Sequence, residues 1–295
     1  MSVKVCKILI GIPGSGKSTY RKKEVVENGA TYTNMDEIRI SLRKSGNKMP
    51  KQQFEKEVKH TKLSKLEDLF KHGEQYVIVD DTHLSTSAIN PVVALANKYG
   101  YTVEYKFMET SFNILKCHKN NMMRDHSEHV PVQVIETMAE SFYKIWFKDY
   151  TKDVVVNSDR KKAIIVDIDG TASHMTTRGP FDWHRVDEDI PDETIRKLVN
   201  FYHDEGYEVL FVSGRDGICY EKTNNWLCKH NFKFNTLLMR PIDDNRTDIL
   251  IKAEIYKNYI MQHYDVSVVF DDRLQVVRFW RGIGIKTLQC QSGWF

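Results

Sequence analysis

The stretch Val5-Cys6-Lys7-Ile8-Leu9-Ile10-Gly11-Ile12-Pro13-Gly14-Ser15-Gly16-Lys17-Ser18 decides the fold of the first half of the chain. An apolar, partly β-branched run leads directly into the spacing G-x-x-x-x-G-K-S, the strand-to-loop context that a phosphate-binding loop requires. Glycines at 11, 14 and 16 let backbone N–H groups turn toward phosphate oxygens at the start of a helix. Lys17 adds a positive charge, and the Ser18 hydroxyl is suited to ligate Mg²⁺. Residues Gly11, Gly14, Ser15, Gly16, Lys17, Ser18 and Thr19 are therefore the expected nucleoside triphosphate contacts. The motif does not identify what accepts the phosphoryl group, because kinases, ATPases and GTPases share it.

Outward from that loop, β-rich runs recur at 76–79 and 101–107, separated by a segment with helical spacing at Phe54, Val58, Leu66, Leu69 and Phe70. The pattern restarts after the polar stretch 157–162, with strand candidates at 163–166, 208–212, 236–239 and 266–270. Strands alternating with helices predict an α/β fold with parallel sheets. A length of 295 residues predicts two domains, here 1–152 and 160–295, with the boundary near 152–160. Residues 43–51 read as an exposed loop before a lysine-dense helix over 52–72.

Composition is that of an ordinary folded protein, with 41% hydrophobic and 28% charged residues. The net charge of +3 is uneven: residues 1–150 hold 23 Lys/Arg against 18 Asp/Glu, and the remainder 20 against 22. A basic first half suits a polyanionic partner without requiring one. No apolar run reaches the roughly 20 residues of a spanning helix, so no membrane partner is expected. The opening stretch resembles a buried strand rather than a signal peptide. Five scattered cysteines without a Cys-x-x-Cys pair fit reduced thiols in a cytoplasm.

Three further places in the first half carry chemistry. Asp36 and Arg39 stand three apart, on one face if a helix begins there, so Asp36 can take a hydroxyl proton while Arg39 holds a neighbouring phosphate. The run 76–83 is a strand whose carboxylates emerge at its C-terminal end, the edge where ligands gather in open α/β sheets, and Asp81 and Thr82 are expected to face the phosphate loop. Arg124, in the polar stretch 116–129, is a candidate lid cation over the nucleotide. The lysines at 48, 51, 56, 59, 62 and 65, interleaved with Glu55, Glu57 and Glu67, read as a solvated helix face.

In the second half, Ile164-Ile165-Val166-Asp167-Ile168-Asp169-Gly170-Thr171 is an apolar strand ending in two carboxylates; strand alternation would send both to one side. A carboxylate nucleophile splits phosphomonoester hydrolysis into two displacements, while Mg²⁺ neutralises the charge that repels it. The signature Asp-x-Asp-Gly-Thr resembles the haloacid dehalogenase phosphatase superfamily. That resemblance implies Asp167 as nucleophile and Asp169 as the acid that protonates the leaving oxygen, both also ligands of the metal. Later elements follow in order: Val212-Ser213-Gly214-Arg215, Lys252, and Asp271-Asp272-Arg273. They imply that Ser213, Gly214 and Lys252 hold phosphate and that Asp271 or Asp272 completes the metal site. Arg178 and Arg215 are extra cations that could grip a nucleotide's internal phosphate.

With both halves read, the chain resembles the phage polynucleotide kinase-phosphatases over nearly its full length. The resemblance implies an ATP-dependent 5′-hydroxyl kinase with Lys17 and Asp36 in its chemistry, Arg39, Asp81 and Thr82 on substrate and Arg124 in the lid. It further implies a Mg²⁺-dependent 3′-phosphatase on a Rossmann-like fold with minimal cap, with Asp248 as a helper. The implied partners are RNA and DNA ends, the implied assembly a homotetramer, and the implied location the cytoplasm of an infected bacterial host. Met35 departs from the family's basic residue before the kinase Asp, and Lys119 or Asn120 stands where its first lid arginine belongs. The competing reading is a small-metabolite kinase fused to a metabolite phosphatase.

Overall fold

The computed structural model describes residues 3–46, 49–148 and 160–293. It divides into two compact units, 1–146 and 147–295; the boundary expected near 152–160 lies largely outside the described residues, as does Lys48.

The first unit is built on four parallel strands, β1 (Val5–Ile10), β2 (Thr31–Asn34), β3 (Tyr76–Asp80) and β4 (Thr102–Phe107), in the order β2-β3-β1-β4. Central strands buried on both faces need unbroken apolar runs, and Val77, Ile78, Val79, Ile8 and Leu9 are all fully buried. β4, read as a β-rich run, is an edge strand with Glu104 and Tyr105 exposed. Six helices connect and cover the strands: α1 (Lys17–Asn28), α2 (Met35–Lys44), α3 (Lys51–His72), α4 (Thr86–Lys98), α5 (Ile114–Met122) and α6 (Val132–Trp146). The loop expected at 43–51 is shorter, because α2 continues to Lys44. Asn34 caps α2 by accepting from Glu37 N–H at 3.0 Å.

The second unit holds a parallel sheet of β5 (Lys161–Val166), β8 (Glu208–Asp216), β9 (Thr236–Arg240), β10 (Tyr264–Arg273) and β11 (Thr287–Gly293), in the order β11-β10-β5-β8-β9. An antiparallel ribbon of β6 (Ser173–His174) and β7 (Ile190–Pro191) lies between β5 and β8 in sequence. Its helices are α7 (Glu193–Asp204), α8 (Tyr220–Lys229), α9 (Asp248–Ile255) and α10 (Leu274–Gly282). Ile164, Val166, Val209, Phe211, Trp226 and Phe270 share one buried cluster; each such side chain stabilises the unit by about 1.5–3 kcal/mol. Both units are thus α/β with parallel sheets. No helix among the described residues is long and apolar enough to cross a membrane.

Candidate active sites

In the first unit, β1, β2 and β3 end side by side. Leu9 pairs in register with Asp80, and Asp80 with Asn34, so the residues that follow these strands meet at one sheet edge. Gly11 N–H donates to the Thr82 carbonyl at 3.1 Å, tying the phosphate loop to the end of β3. Gly14 and Gly16 have φ of 76° and 93°, values that favour glycine. A Cβ on Gly14 would stand 2.1 Å from the Cys117 carbonyl oxygen, so α5 packs directly on the loop.

Lys17 Nζ donates to the carbonyls of Gly11 and Ile12, both at 2.9 Å. Burial pushes its ammonium down to about 8, against the pull of Asp80. Neutral carbonyls are weaker partners than a polyanion, so a phosphate presented to the loop competes well for this cation. The Ser15 hydroxyl is buried without a hydrogen-bond partner, and Ser18 and Thr19 are exposed. The loop therefore fits a triphosphate.

Asp36 lies in the first turn of α2, its side chain 67% exposed, and accepts from Arg39 Nη1 at 2.6 Å. The remaining face of that guanidinium meets Glu55 of α3, with Nη2 at 2.9 Å from its carboxylate. Thr82 meets the loop through its backbone, whereas the Asp81 side chain turns elsewhere: Oδ1 accepts from Met35 N–H at 3.0 Å and Oδ2 from Lys62 Nζ at 2.9 Å. Next to it, buried Asp80 pairs with Arg21 at 2.9 Å, and Arg21 reaches Glu37 at 3.1 Å and stacks over Tyr32. Arg124 pairs with Glu128 in its own segment at 3.2 Å. The group on that segment that reaches the phosphate loop is Asn120, donating to the Gly14 carbonyl at 2.7 Å. A cavity of about 480 Å³ opens beside Thr82, lined by Leu84, Ser85, Val134 and Met138.

Sequence reasoning missed Asp80, Arg21 and Lys62. Asp80 was visible beside Asp81, but which of two adjacent carboxylates faces inward depends on the strand's neighbours. Lys62 had a clear signal, since it fills the vacant place in the series Phe54, Val58, Leu66, Phe70, and it is buried with them. Among the described lysines of that series, Lys51, Lys56, Lys59 and Lys65 are exposed, as a solvated face requires.

In the second unit, β5 ends at Val166, and Asp167 and Asp169 diverge instead of alternating as a continued strand would. Asp167 turns to Lys252, whose Nζ lies 2.7 Å from Asp167, 2.9 Å from Asp271 and 3.6 Å from Asp248. Burial alone would lower the Lys252 pKa; the ring of carboxylates instead holds it well above the ordinary value. Oxygens of Asp167, Asp271 and Asp272, all buried, lie within 4.8 Å of one another. Burial pushes Asp167 up to about 7, with Asp271 and Asp248 adding to the rise, and Asp272 likewise to about 7, with Asp167 adding to it. Lys252 and, beside Asp248, the guanidiniums of Arg273 at 3.5 Å and Arg240 at 3.9 Å oppose the four carboxylates of Asp167, Asp248, Asp271 and Asp272, and the all-oxygen donor set of the trio is that of a hard divalent cation. The trio fits Mg²⁺.

The Asp169 carboxylate is absent from that trio. It is gripped by Arg215 at 2.7 Å and Arg178 at 2.9 Å, which hold it below the usual carboxylate range although burial acts the other way. Both arginines, expected to grip phosphate, are here paired with carboxylates: Arg215 is fully buried and Arg178 nearly so, and both also pair with buried Asp189. Asp189, which no motif marked, closes this ion network. Ser213 is buried, and its hydroxyl accepts from Arg215 N–H at 3.2 Å. A Cβ on Gly214 would stand 1.9 Å from Asp248 Oδ1, so Asp248 packs on the turn after β8. A cavity of about 350 Å³ joins Asp167, Asp169, Arg240 and Arg273 to a rim bearing Phe181 and Trp183.

Residues 161–295 match the family model of the polynucleotide kinase PNKP phosphatase domain, and residues 7–145 match that of the AAA domain. A "Putative bifunctional polynucleotide kinase/RNA ligase" of Autographa californica nuclear polyhedrosis virus is 31% identical over 302 residues, which take in 97% of this chain. The chain spans 42% of that relative's length. Among solved structures, a chain of the Pnkp1/Rnl/Hen1 RNA repair complex is 26% identical with a TM-score of 0.46, over 100% of this chain and 98% of that one. A D,D-heptose 1.7-bisphosphate phosphatase from B. bronchiseptica is 16% identical with a TM-score of 0.34, over 43% of this chain and 79% of that one.

Proposed function

We infer, from a chain whose residues 161–295 match the model of the polynucleotide kinase PNKP phosphatase domain and whose residues 7–145 match that of the AAA domain, that this protein heals nucleic-acid ends. Its first unit phosphorylates a 5′-hydroxyl from ATP and its second removes a 3′-phosphate, on RNA or DNA. The observation that carries this reading is the pairing, in one chain, of a phosphate loop beside the Asp36–Arg39 pair with an Asp167 site of polynucleotide phosphatase type.

In the kinase, Lys17 and the loop N–H groups hold the triphosphate, Asp36 takes the proton of the attacking 5′-hydroxyl, and Arg39 holds the adjoining phosphate. Asp81 and Thr82 shape the acceptor side, and Arg124 closes over the nucleotide once its pairing with Glu128 is exchanged. In the phosphatase, Asp167 attacks phosphorus and the bond to the terminal 3′-oxygen breaks. Asp169, once it has taken up a proton against the hold of Arg178 and Arg215, protonates that oxygen, then takes a proton from the water that releases phosphate from Asp167. Arg178 and Arg215 fix Asp169 in place, and Lys252, Ser213 and the Gly214 turn set the phosphate position, with Asp248 behind them. Asp167, Asp271 and Asp272, and in the kinase Ser18, would hold Mg²⁺, which would supply charge neutralisation. Phe181, 80% exposed at the cavity rim with Trp183 beside it, offers a face to a nucleobase, which supports a nucleotide end over a small metabolite.

The test is an oligonucleotide bearing a 5′-hydroxyl and a 3′-phosphate, incubated with the protein and Mg²⁺, with and without ATP, and resolved by mass. ATP-dependent phosphate gain at the 5′ end and ATP-independent loss at the 3′ end are expected. Unchanged ends, with turnover of small phosphoesters, would replace this reading with the metabolite one.

A further inference from the structure

We propose that Lys62 is a positioning residue of the kinase: it holds the helix bearing Asp36 and Arg39 in register with the phosphate loop. The proposal rests on the kinase reading above. Lys62 sits on the buried stripe of α3 with Phe54, Val58, Leu66 and Phe70, only 6% exposed. Lysine is almost never buried unless paired, so its partner matters more than its helix. That partner is Asp81, at 2.9 Å, itself largely buried.

Asp81 is the junction of two connections. Its other oxygen accepts from Met35 N–H, one of the free donors at the start of α2, where a negative charge is also favoured by the helix dipole. Met35 immediately precedes Asp36. On the other side, Thr82 follows Asp81 and accepts from Gly11 N–H of the phosphate loop. The acceptor-side helix and the donor-side loop are therefore joined through Asp81, and Lys62 is the cation that holds this carboxylate in place and opposes the rise in its pKa that burial causes. His83, 3.7 Å from the same oxygen, does not substitute, because burial, reinforced by Lys62, pushes it down to about 3 and leaves it neutral. Without Lys62, a buried carboxylate would either take up a proton or swing toward solvent, and either change loosens the cap beneath Asp36.

Misplacing a catalytic group by about 1 Å costs on the order of 100-fold in rate. Lys62→Met in the full-length chain is expected to lower kinase kcat on a 5′-hydroxyl oligonucleotide by about 10- to 100-fold. KM for ATP should stay within about twofold, because the bonds around Lys17 do not involve Lys62. Lys62→Arg, which keeps the charge, should recover most of kcat and guards against a folding defect in the methionine variant. Phosphatase turnover of the same molecules reports the amount of intact enzyme. Kinase kcat of Lys62→Met unchanged relative to phosphatase would overturn the proposal, as would a raised KM for ATP with kcat intact, or an arginine variant no better than methionine. Absence of kinase activity in the unsubstituted protein would instead remove the kinase reading itself.

Discussion

Lys17 is charged or neutral according to what stands in front of it. Its ammonium rests on two uncharged carbonyls, and burial pushes it down to about 8 from the usual 10.5. The sign follows directly: a lowered lysine loses its proton earlier as pH rises, and a bound polyphosphate, favouring the charged form, raises it again. ATP binding at pH 9 should therefore take up much of a proton, and far less at pH 6.5, where the lysine is already charged. Titration calorimetry in two buffers of different ionisation enthalpy measures this uptake; equal uptake at both pH values would show that Lys17 does not meet the phosphates. This residue was legible in the sequence because its loop is a single contiguous device whose glycines and lysine are fixed by local backbone. Arg215 was legible only as a charge. It pairs with Asp169 of the motif and with Asp189, which lies 26 residues away in a segment without a motif, and nothing local reveals that second pairing.

Elements place the chemistry by bringing strand ends together, and here close packing makes glycine a structural requirement. Gly170 follows Asp169 with φ of 81°, and a Cβ there would stand 2.3 Å from Asp272 Oδ2. The turn after β5 thus passes against the acidic trio as closely as a side-chain-free residue permits. Gly170→Ala must displace Asp272 and also strain the backbone by about 1–2 kcal/mol. A phosphatase rate about 100-fold lower, with a higher Mg²⁺ requirement, is expected, while kinase activity is retained. Rates measured across a Mg²⁺ series decide it; an unchanged Mg²⁺ dependence would detach Asp272 from the metal. The strands themselves were readable, β1 to the residue, because buried parallel strands need continuous apolar runs. The divergence of Asp167 and Asp169 was not, since it depends on where β5 stops, and that is set by the positive-φ turn and by Lys252 and Arg215 waiting on either side.

At the scale of the molecule, the proposed function gives each unit one of the two reactions: among the described residues the phosphate loop with Asp36 and Arg39 lies in the first unit and the acidic trio in the second. The alternation of strands and helices led to an expected boundary near 152–160, and most of the residues there lie outside those described. Independence has a direct consequence. Lys17→Ala should abolish 5′ phosphorylation and spare 3′ dephosphorylation, each measured against the unsubstituted protein, and Asp167→Asn should do the reverse. Losses of at least about 1,000-fold are expected, because each removes a group on which its own step depends. An equimolar mixture of the two variants should then convert an oligonucleotide with a 5′-hydroxyl and a 3′-phosphate into the 5′-phosphate, 3′-hydroxyl product. Each variant alone should stop at one processed end. If either substitution removed both activities from a folded chain, or if the mixture failed to yield the doubly processed product, the two sites would have to be treated as one coupled machine.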